Sequence, residues 1–386
     1  MIATFEQIQE MENETVGAKT TFTLDSETIK GIKAIFKGHK KTTIQVLNCV
    51  LIEVVNKNVV KVTYSDSDIV IEKMFLTTVN DIKTRKFLIP IEVFKGMKYI
   101  KKNELFTFVE NDDKFKMEVI RNSVVQEITI GDFEDYPQLF DKEEFKTIET
   151  STGYEYFDKS DLKDLVKATK SVSDSESRPV LQNVVIQNKK IVSTDSHRLY
   201  MANTVFNHDE TILIQPALVQ KANELIPANT FMKLSVSDRL VKITDDMTTN
   251  IYARQMEGNF PDTSRLIPQD FYYEIKINEV KKLHTFLKGL GKNSVVKANI
   301  NSKTYKLEME SKTETGSSKI DLPIDIINMK DDSFKISFSS KYFMEGMEQL
   351  DLETISVNFV SNMRPFILKK VNSEKELALV LPVRTY

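Results

Sequence analysis

The string Thr194-Asp195-Ser196-His197-Arg198 holds a hydroxyl, an imidazole and a carboxylate within three consecutive residues. These are the parts of a nucleophile, a base and an orienting acid. Neighbours in a strand point alternately to opposite faces, so three in a row rarely form a triad. The other histidines, His39, His208 and His284, show no H-E-x-x-H or other ligand spacing. Ser65-Asp66-Ser67-Asp68 suggests a cation site, yet no EF-hand loop or matched acidic partner accompanies it, and a polar strand end is the simpler reading. Gly289-Leu290-Gly291-Lys292 echoes a phosphate loop, but Asn293 stands where Ser or Thr is required. The single cysteine, Cys49, lies in the apolar run Cys49-Val50-Leu51-Ile52 and reads as a buried structural thiol. One cysteine excludes an intramolecular disulfide or a multi-cysteine zinc site and suits a reducing cytoplasm. No catalytic residue, metal site or cofactor site is expected.

A second chemistry is carried by lysines. Lys159, Lys163, Lys167 and Lys170 follow i, i+4, i+8, i+11, which is one face of a helix. Leu162, Leu165, Val166 and Thr169 form the opposing apolar stripe. Lys95, Lys98 and Lys102 oppose Val93, Met97 and Ile100 in the same way, and Lys30, Lys33 and Lys37 flank Ile29, Ile32 and Phe36. Lys281, Lys288 and Lys292 repeat the bias. A lysine is a hydrated point charge on a flexible stem, suited to diffuse phosphate contact rather than bidentate base reading. Converging lysine faces would follow a nucleic-acid backbone without reading its sequence.

Six helical stretches must position these side chains: roughly 25–37, 90–102, 158–170, 216–229, 278–292 and 339–350. Pro90 and Pro216 open two of them, and Asp25, Asp158, Asn278 and Ser339 are plausible caps for the others. The rest of the chain is short strands of Val, Ile, Thr and Phe separated by turn clusters such as Asn56-Lys57-Asn58. Helix pairs recur about every 120–135 residues, an internal repeat at domain scale. Val46-Leu47-Asn48-Cys49-Val50 is echoed by Val180-Leu181-Gln182-Asn183-Val184, and Phe133-Glu134-Asp135-Tyr136-Pro137 by Gly258-Asn259-Phe260-Pro261. The expected architecture is three α+β domains, 1–145 (with an extension of about 1–20), 146–268 and 269–386. Each would pack two helices on one face of antiparallel sheet.

At 386 residues the chain has ample length for such cores, and its hydrophobic content of 41% is that of a globular protein. No apolar run approaches the roughly 18 residues of a bilayer span, and the acidic start MIATFEQIQEMENE lacks a signal-peptide layout. The net charge of −3 speaks at first against nucleic acid. The helical stretches, with Lys40 and Lys41 included, carry 19 lysines against 10 acids, a surplus of +9 that leaves −12 elsewhere. The near-zero sum conceals a sorted distribution.

Specific strings then carry a resemblance. They are Ser177-Arg178-Pro179-Val180-Leu181, Ser193-Thr194-Asp195-Ser196-His197-Arg198-Leu199, the stretch from Glu257-Gly258-Asn259-Phe260-Pro261 to Arg265-Leu266-Ile267-Pro268, and Leu379-Val380-Leu381-Pro382-Val383-Arg384. In order and spacing they resemble the bacterial DNA polymerase III beta subunit family, the sliding clamps. Thr42-Thr43-Ile44-Gln45-Val46-Leu47 and Ser65-Asp66-Ser67-Asp68-Ile69 match the family's first domain more loosely, in a Gram-positive style.

The resemblance implies a non-catalytic, cytoplasmic processivity factor. Three clamp domains per chain would form half of a head-to-tail homodimeric ring around duplex DNA. It also implies a cleft for a short peptide motif of polymerases, the clamp loader and repair proteins. By motif position the cleft would use Leu181, Thr194, Ser196, His197, Arg198, Leu199, Pro261, Arg265, Leu266, Met363, Val380, Leu381, Pro382, Val383 and Arg384. Lys41 and Arg178 stand where the family has basic residues toward DNA. Gln45 stands where a proline is common, and the first domain is the most divergent. An alternative is therefore a clamp-derived interaction module, or a specialised paralogue, that no longer serves the main replicase.

Overall fold

The computed structural model describes residues 19–384 other than 67, 81–84, 138–143, 257, 292 and 314–315. The expected extension lies almost wholly outside the described residues, as does Lys292. Six α-helices occur among the described residues: α1 (Ser26–Ile35), α2 (Ile91–Gly96), α3 (Lys159–Ala168), α4 (Pro216–Leu225), α5 (Val280–Lys288) and α6 (Ser340–Gln349).

Local chemistry sets their starts. The Asp25 carboxylate accepts the Thr28 N–H at 2.8 Å. Asp158 and Asp161 form a reciprocal capping box at the start of α3, and Ser339 accepts the Tyr342 N–H. Asn278 does not cap α5; its amide donates instead to Asp325 at 3.0 Å. The second helix is much shorter than its apolar period predicts. It ends at Gly96, and Tyr99 (φ 53°) and Asn103 (φ 62°) turn the chain left-handed. Lys98 and Lys102 therefore lie beyond the helix and share no helical face with Lys95.

One succession of elements occurs three times among the described residues: helix, three-stranded meander, one or two strands, helix, three-stranded meander. The first meanders are Cys49–Asn56, Val59–Ser65 and Ile69–Leu76; then Val184–Gln187, Lys190–Thr194 and Arg198–Asn203; then Val295–Asn301, Lys306–Thr313 and Gly316–Pro323. The second meanders are Leu105–Glu110, Lys116–Arg121 and Val124–Thr129; then Lys233–Val236, Leu240–Thr244 and Thr249–Arg254; then Ile355–Phe359, Phe366–Lys370 and Glu376–Val380. The strands of these meanders pair antiparallel. The fold is the expected α+β repeat.

The meanders join by one rule. The last strand of a second meander pairs with the last strand of the preceding repeat's first meander. Thr249–Arg254 thus pairs with Ile69–Leu76 (Ile251 opposite Ile71). Glu376–Val380 pairs with Arg198–Asn203 (Tyr200 opposite Ala378). Two strands are left without such a partner, Val124–Thr129 and Gly316–Pro323, and each is an edge of its sheet. By packing density the chain forms two compact units, Met1–Lys146 with Glu224–Arg254 and Thr147–Asn223 with Gln255–Tyr386.

The helices sit over apolar sheet faces. In the first unit Phe22 stacks on Phe108 at 4.9 Å, and Ile29, Ile32 and Phe94 are fully or almost fully buried. In the second, Leu283 and Leu287 of α5 and Phe343 and Met347 of α6 pack with Val296, Ile300, Phe366 and Leu368. Each such side chain contributes about 1.5–3 kcal/mol of burial. Gly346 lets α6 close on the sheet, because a Cβ there would stand 3.3 Å from that of Ala378.

Candidate partner cleft and lysine faces

The cleft strings fold into one region of the second unit. Strand alternation puts Leu199, Met201 and Leu379 on one face with Val192 and Ile367, where they form a small buried cluster. Phe260, Ile267, Phe271, Leu377 and Leu381 pack against it and remain partly open. Leu266 and Met363 expose about half of their surface, at 50% and 55%. The result is a buried apolar cluster with partly open hydrophobic side chains around it.

Several expected residues lie outside this buried cluster. Val380 is one residue out of phase with Leu379 and Leu381, so it faces the α6 side and joins the third repeat's core. Arg198, opposite Val380 in the register, is on that side too. It is buried, pairs with Glu345, donates to Asp195 at 2.9 Å and lies over the Tyr342 ring at 4.7 Å. Leu181 is buried in the short turn Pro179–Gln182 and is not part of the cluster. Pro261 and Arg265 are exposed in the loop before Ile267, where Asp262 accepts two bonds from Ser264. The tail is fixed by two backbone bonds, Leu381 N–H to His197 O at 2.9 Å and Val383 N–H to Ser337 O at 2.7 Å, with Pro382 bridging Phe338. Arg384 is exposed beyond it.

The Ser-His-Asp string makes a turn, not a relay. Asp195 accepts the N–H groups of His197 and Arg198 at 2.9 and 3.0 Å, and Thr194 donates to Arg198 O at 2.6 Å. Ser196, at φ 76°, accepts from Arg178, while the His197 ring stacks on Tyr342. Asp66 likewise organises a turn through the N–H groups of Asp68 and Ile69. Burial pushes the Cys49 thiol up to about 11, so it is protonated and unreactive at neutral pH. Among the described residues no group of three His, Cys, Asp or Glu side chains is placed to hold a metal. No helix among them is long and apolar enough to cross a membrane.

The lysine faces divide sharply. On α3 the row is engaged. Lys167 is buried, contrary to a solvent-facing role, because Glu376 and Asp351 both meet its ammonium at 2.8 Å. Lys163 pairs with Asp351 at 2.7 Å, Lys170 pairs with Glu348, and Lys159 donates to the carbonyls of Ala222 and Asn223. Lys370 joins the same cage through Asp351 and Glu376, and Tyr200 donates to Glu376 at 2.6 Å. Burial opposes the charge on Asp351 and Glu376, but hydrogen bonds from the lysines outweigh it and hold both below their ordinary range.

Elsewhere the lysines are more open. Lys33 is half-buried and donates to Met97 O, while Lys30 and Lys95 are exposed and pair with Glu27 and Glu92. Lys37 is exposed beyond the end of α1 and pairs with Glu224. Lys41, Lys98, Lys102, Lys281 and Lys288 are exposed without an ion pair among the described residues.

Sequence reasoning missed Asp195, Tyr342 and Glu345, which hold Arg198, and Asp351 and Glu376, which hold Lys167. It also missed Phe260, Ile267 and Phe271 in the cluster. Glu376 had a visible signal, since it shares the inward phase of its strand with Ala378 and Val380.

Residues 264–384 match the family described as DNA polymerase III beta subunit, C-terminal domain. The chain is 29% identical over 387 residues to the beta sliding clamp of Bacillus subtilis, covering 93% of this chain and 97% of that one. It is 30% identical over 241 residues to the beta sliding clamp of Staphylococcus aureus, covering 58% and 62% of the two chains. Its fold matches the crystal structure of the Bacillus subtilis clamp with a TM-score of 0.82 at 25% identity, over 96% of this chain and all of that one. The beta subunit of Streptococcus pyogenes matches with a TM-score of 0.78 at 21% identity, covering 95% and 100%. Residues 264–384 thus carry the C-terminal domain of the DNA polymerase III beta subunit family, and in sequence and in its repeated α+β plan the whole chain is similar to the beta sliding clamps, which are non-catalytic processivity subunits.

Proposed function

We propose that this chain is a sliding clamp and processivity factor that closes around duplex DNA in the bacterial cytoplasm as a head-to-tail homodimer. The observation that carries this reading is the pair of unmatched edges. By the joining rule, Val124–Thr129 is the strand that seeks a last first-meander strand, and Gly316–Pro323 is the strand that lacks its suitor. Val124 and Val125 are 67% and 57% exposed on that edge, an arrangement that invites strand addition. Two chains pairing both edges would continue one sheet through six repeats, with domains near 1–145, 146–268 and 269–386 as the units. The two edges are different strands that complement one another, a head-to-tail contact that forms a closed ring when the rotation between copies allows, here with two chains.

Inside such a ring, Lys41, Lys98, Lys102, Lys281 and Lys288 are the cations best placed to meet phosphates, with Lys30, Lys33, Lys37, Lys95, Lys159, Lys163, Lys170 and Arg178 partly engaged. Lys167 has no part in it. Binding of this kind is independent of sequence and salt-dependent, which permits sliding. The cleft around Leu199, Leu381, Pro261, Leu266 and Met363 receives a short glutamine-containing apolar motif of a polymerase, loader or repair protein.

Native mass at micromolar concentration tests closure. The unaltered protein should be a dimer, and Val124→Lys with Val125→Lys should be a folded monomer. A monomeric wild type would overturn the reading. Deleting Leu381–Tyr386 should abolish binding of the motif peptide by calorimetry while the dimer persists; unchanged affinity would remove the cleft assignment.

A further inference from the structure

The outer face of the third repeat's four-stranded sheet forms a groove of about 930 Å³, closed on one side by the C-terminal tail and the turn bearing Met363. The sheet runs in the order Gly316–Pro323, Lys306–Thr313, Val295–Asn301, Ser333–Ser339. Its inner face carries Val296, Ala298, Ile300 and Ile336 into the core. The outer face is polar, and its charges are sorted across the strands.

The acids of the strand Lys306–Thr313 have partners. Glu310 faces Lys319 at 3.3 Å and Lys312 at 3.7 Å, and Glu308 accepts the Asn299 amide at 2.8 Å. On the tail side the groove is lined by Lys297, Lys335 and Arg384, which make no ion pair among the described residues. Three cations are thus aimed into one concavity with their acids missing. The groove is also continuous with the proposed cleft, because Met363, Val383 and Arg384 line it.

We infer that this groove takes an acidic stretch of the partner polypeptide, flanking the motif that occupies the cleft; the inference rests on the cleft reading given above. An extended chain advances about 3.3 Å per residue and strands lie about 4.8 Å apart, so four or five residues span the sheet. Aspartates or glutamates there would meet Lys297, Lys335 and Arg384. DNA is a poorer occupant, since a rigid duplex cannot confine its phosphates to the tail side and away from Glu308, Glu310 and Asp321, whereas an extended peptide can. A rim of unpaired lysines of this kind selects among partners sharing one motif and raises the rate of encounter more than it tightens the core interaction.

The test uses the full-length protein and three synthetic peptides: a glutamine and bulky-apolar motif alone, the motif extended by four glutamates, and the motif extended by four serines. Extensions are placed at each end in turn, and binding is read by fluorescence anisotropy at low salt. The glutamate extension at one end should bind about five- to tenfold tighter than the serine extension, the sum of a few exposed charge pairs. Lys297→Glu with Lys335→Glu should erase that advantage and leave the motif alone unchanged. Equal binding of glutamate and serine extensions, with the motif itself bound, overturns the inference while the cleft reading stands. Failure of the motif alone to bind removes the cleft reading and the inference with it. Loss of duplex-DNA binding in the double variant, with no change for the peptides, assigns the groove to DNA and overturns the inference.

Discussion

Helices α3 and α5 carry the same lysine signature and use it in opposite ways. On α3 and the short 3-10 turn that follows it, the ammonium groups of Lys163, Lys167 and Lys170 end on Asp351, Glu376 and Glu348 of the following repeat. On α5, Lys281 and Lys288 stand in solvent without an ion pair among the described residues, and only Lys282 is paired, with Glu279 one turn away. Glu348 marks the contrast, since it accepts from α3 through Lys170 and from α5 through His284 at 2.8 Å, leaving the α5 lysines untouched. A lysine row therefore has no fixed meaning. The acids on the neighbouring element decide whether it becomes an internal clasp or a free positive face. Much of the helical surplus of charge consequently holds the second and third repeats together and is not available to DNA.

The largest effect should come from the clasp. Lys167→Met leaves the buried Glu376 and the half-buried Asp351 with one cation fewer, and should cost about 3–5 kcal/mol in chemical denaturation. A loss below about 1 kcal/mol would make α3 no different from a solvated helix. The double variant Lys281→Glu and Lys288→Glu should keep stability within about 0.5 kcal/mol per site while weakening DNA binding. The slope of log affinity against log salt should fall by about 0.9 for each phosphate that is no longer neutralised. An unchanged slope would place these lysines outside the DNA path.

Acid provides a gentler probe of the same contrast. Asp351 and Glu376 have folded pKa values below their unfolded values near 4, so their contribution is complete above that range and lost as pH falls through the folded values. Burial works against the charge on Lys370, but its bonds to Asp351 and Glu376 raise its pKa overall. Its contribution is complete below the unfolded value near 10.4 and fades above it. Stability from the cage should thus be flat from about pH 5 to 9 and fall below about pH 4, and Lys167→Met should flatten the acid limb. Lys282→Ala, which removes only an exposed pair, should change stability by about 0.5 kcal/mol or less; a larger change would undo the distinction between the two helices.

Much of the fold was legible because its signals are local. Asp25, Asp158 and Ser339 announce helix starts through bonds within three residues. The short second helix escaped because Met97 and Ile100 continue its apolar period past the point where the backbone turns. The fate of Lys167 was beyond local reading, since its partners Asp351 and Glu376 lie 184 and 209 residues away. The cleft was half legible. Motif position gathered the right strings, but only strand parity separates Leu379 and Leu381 from Val380, and the turn around Asp195 needed coordinates to reveal Arg198 as a buried strut.

Topological tethering is the central claim, and it has a direct measurement. The protein is loaded on a nicked circular duplex, freed of loosely bound protein in high salt, and followed by gel filtration before and after the circle is cut once. The account predicts that dimer stays with the circle through the salt and leaves when the DNA becomes linear. Equal retention before and after the cut, or none on the circle, would contradict it.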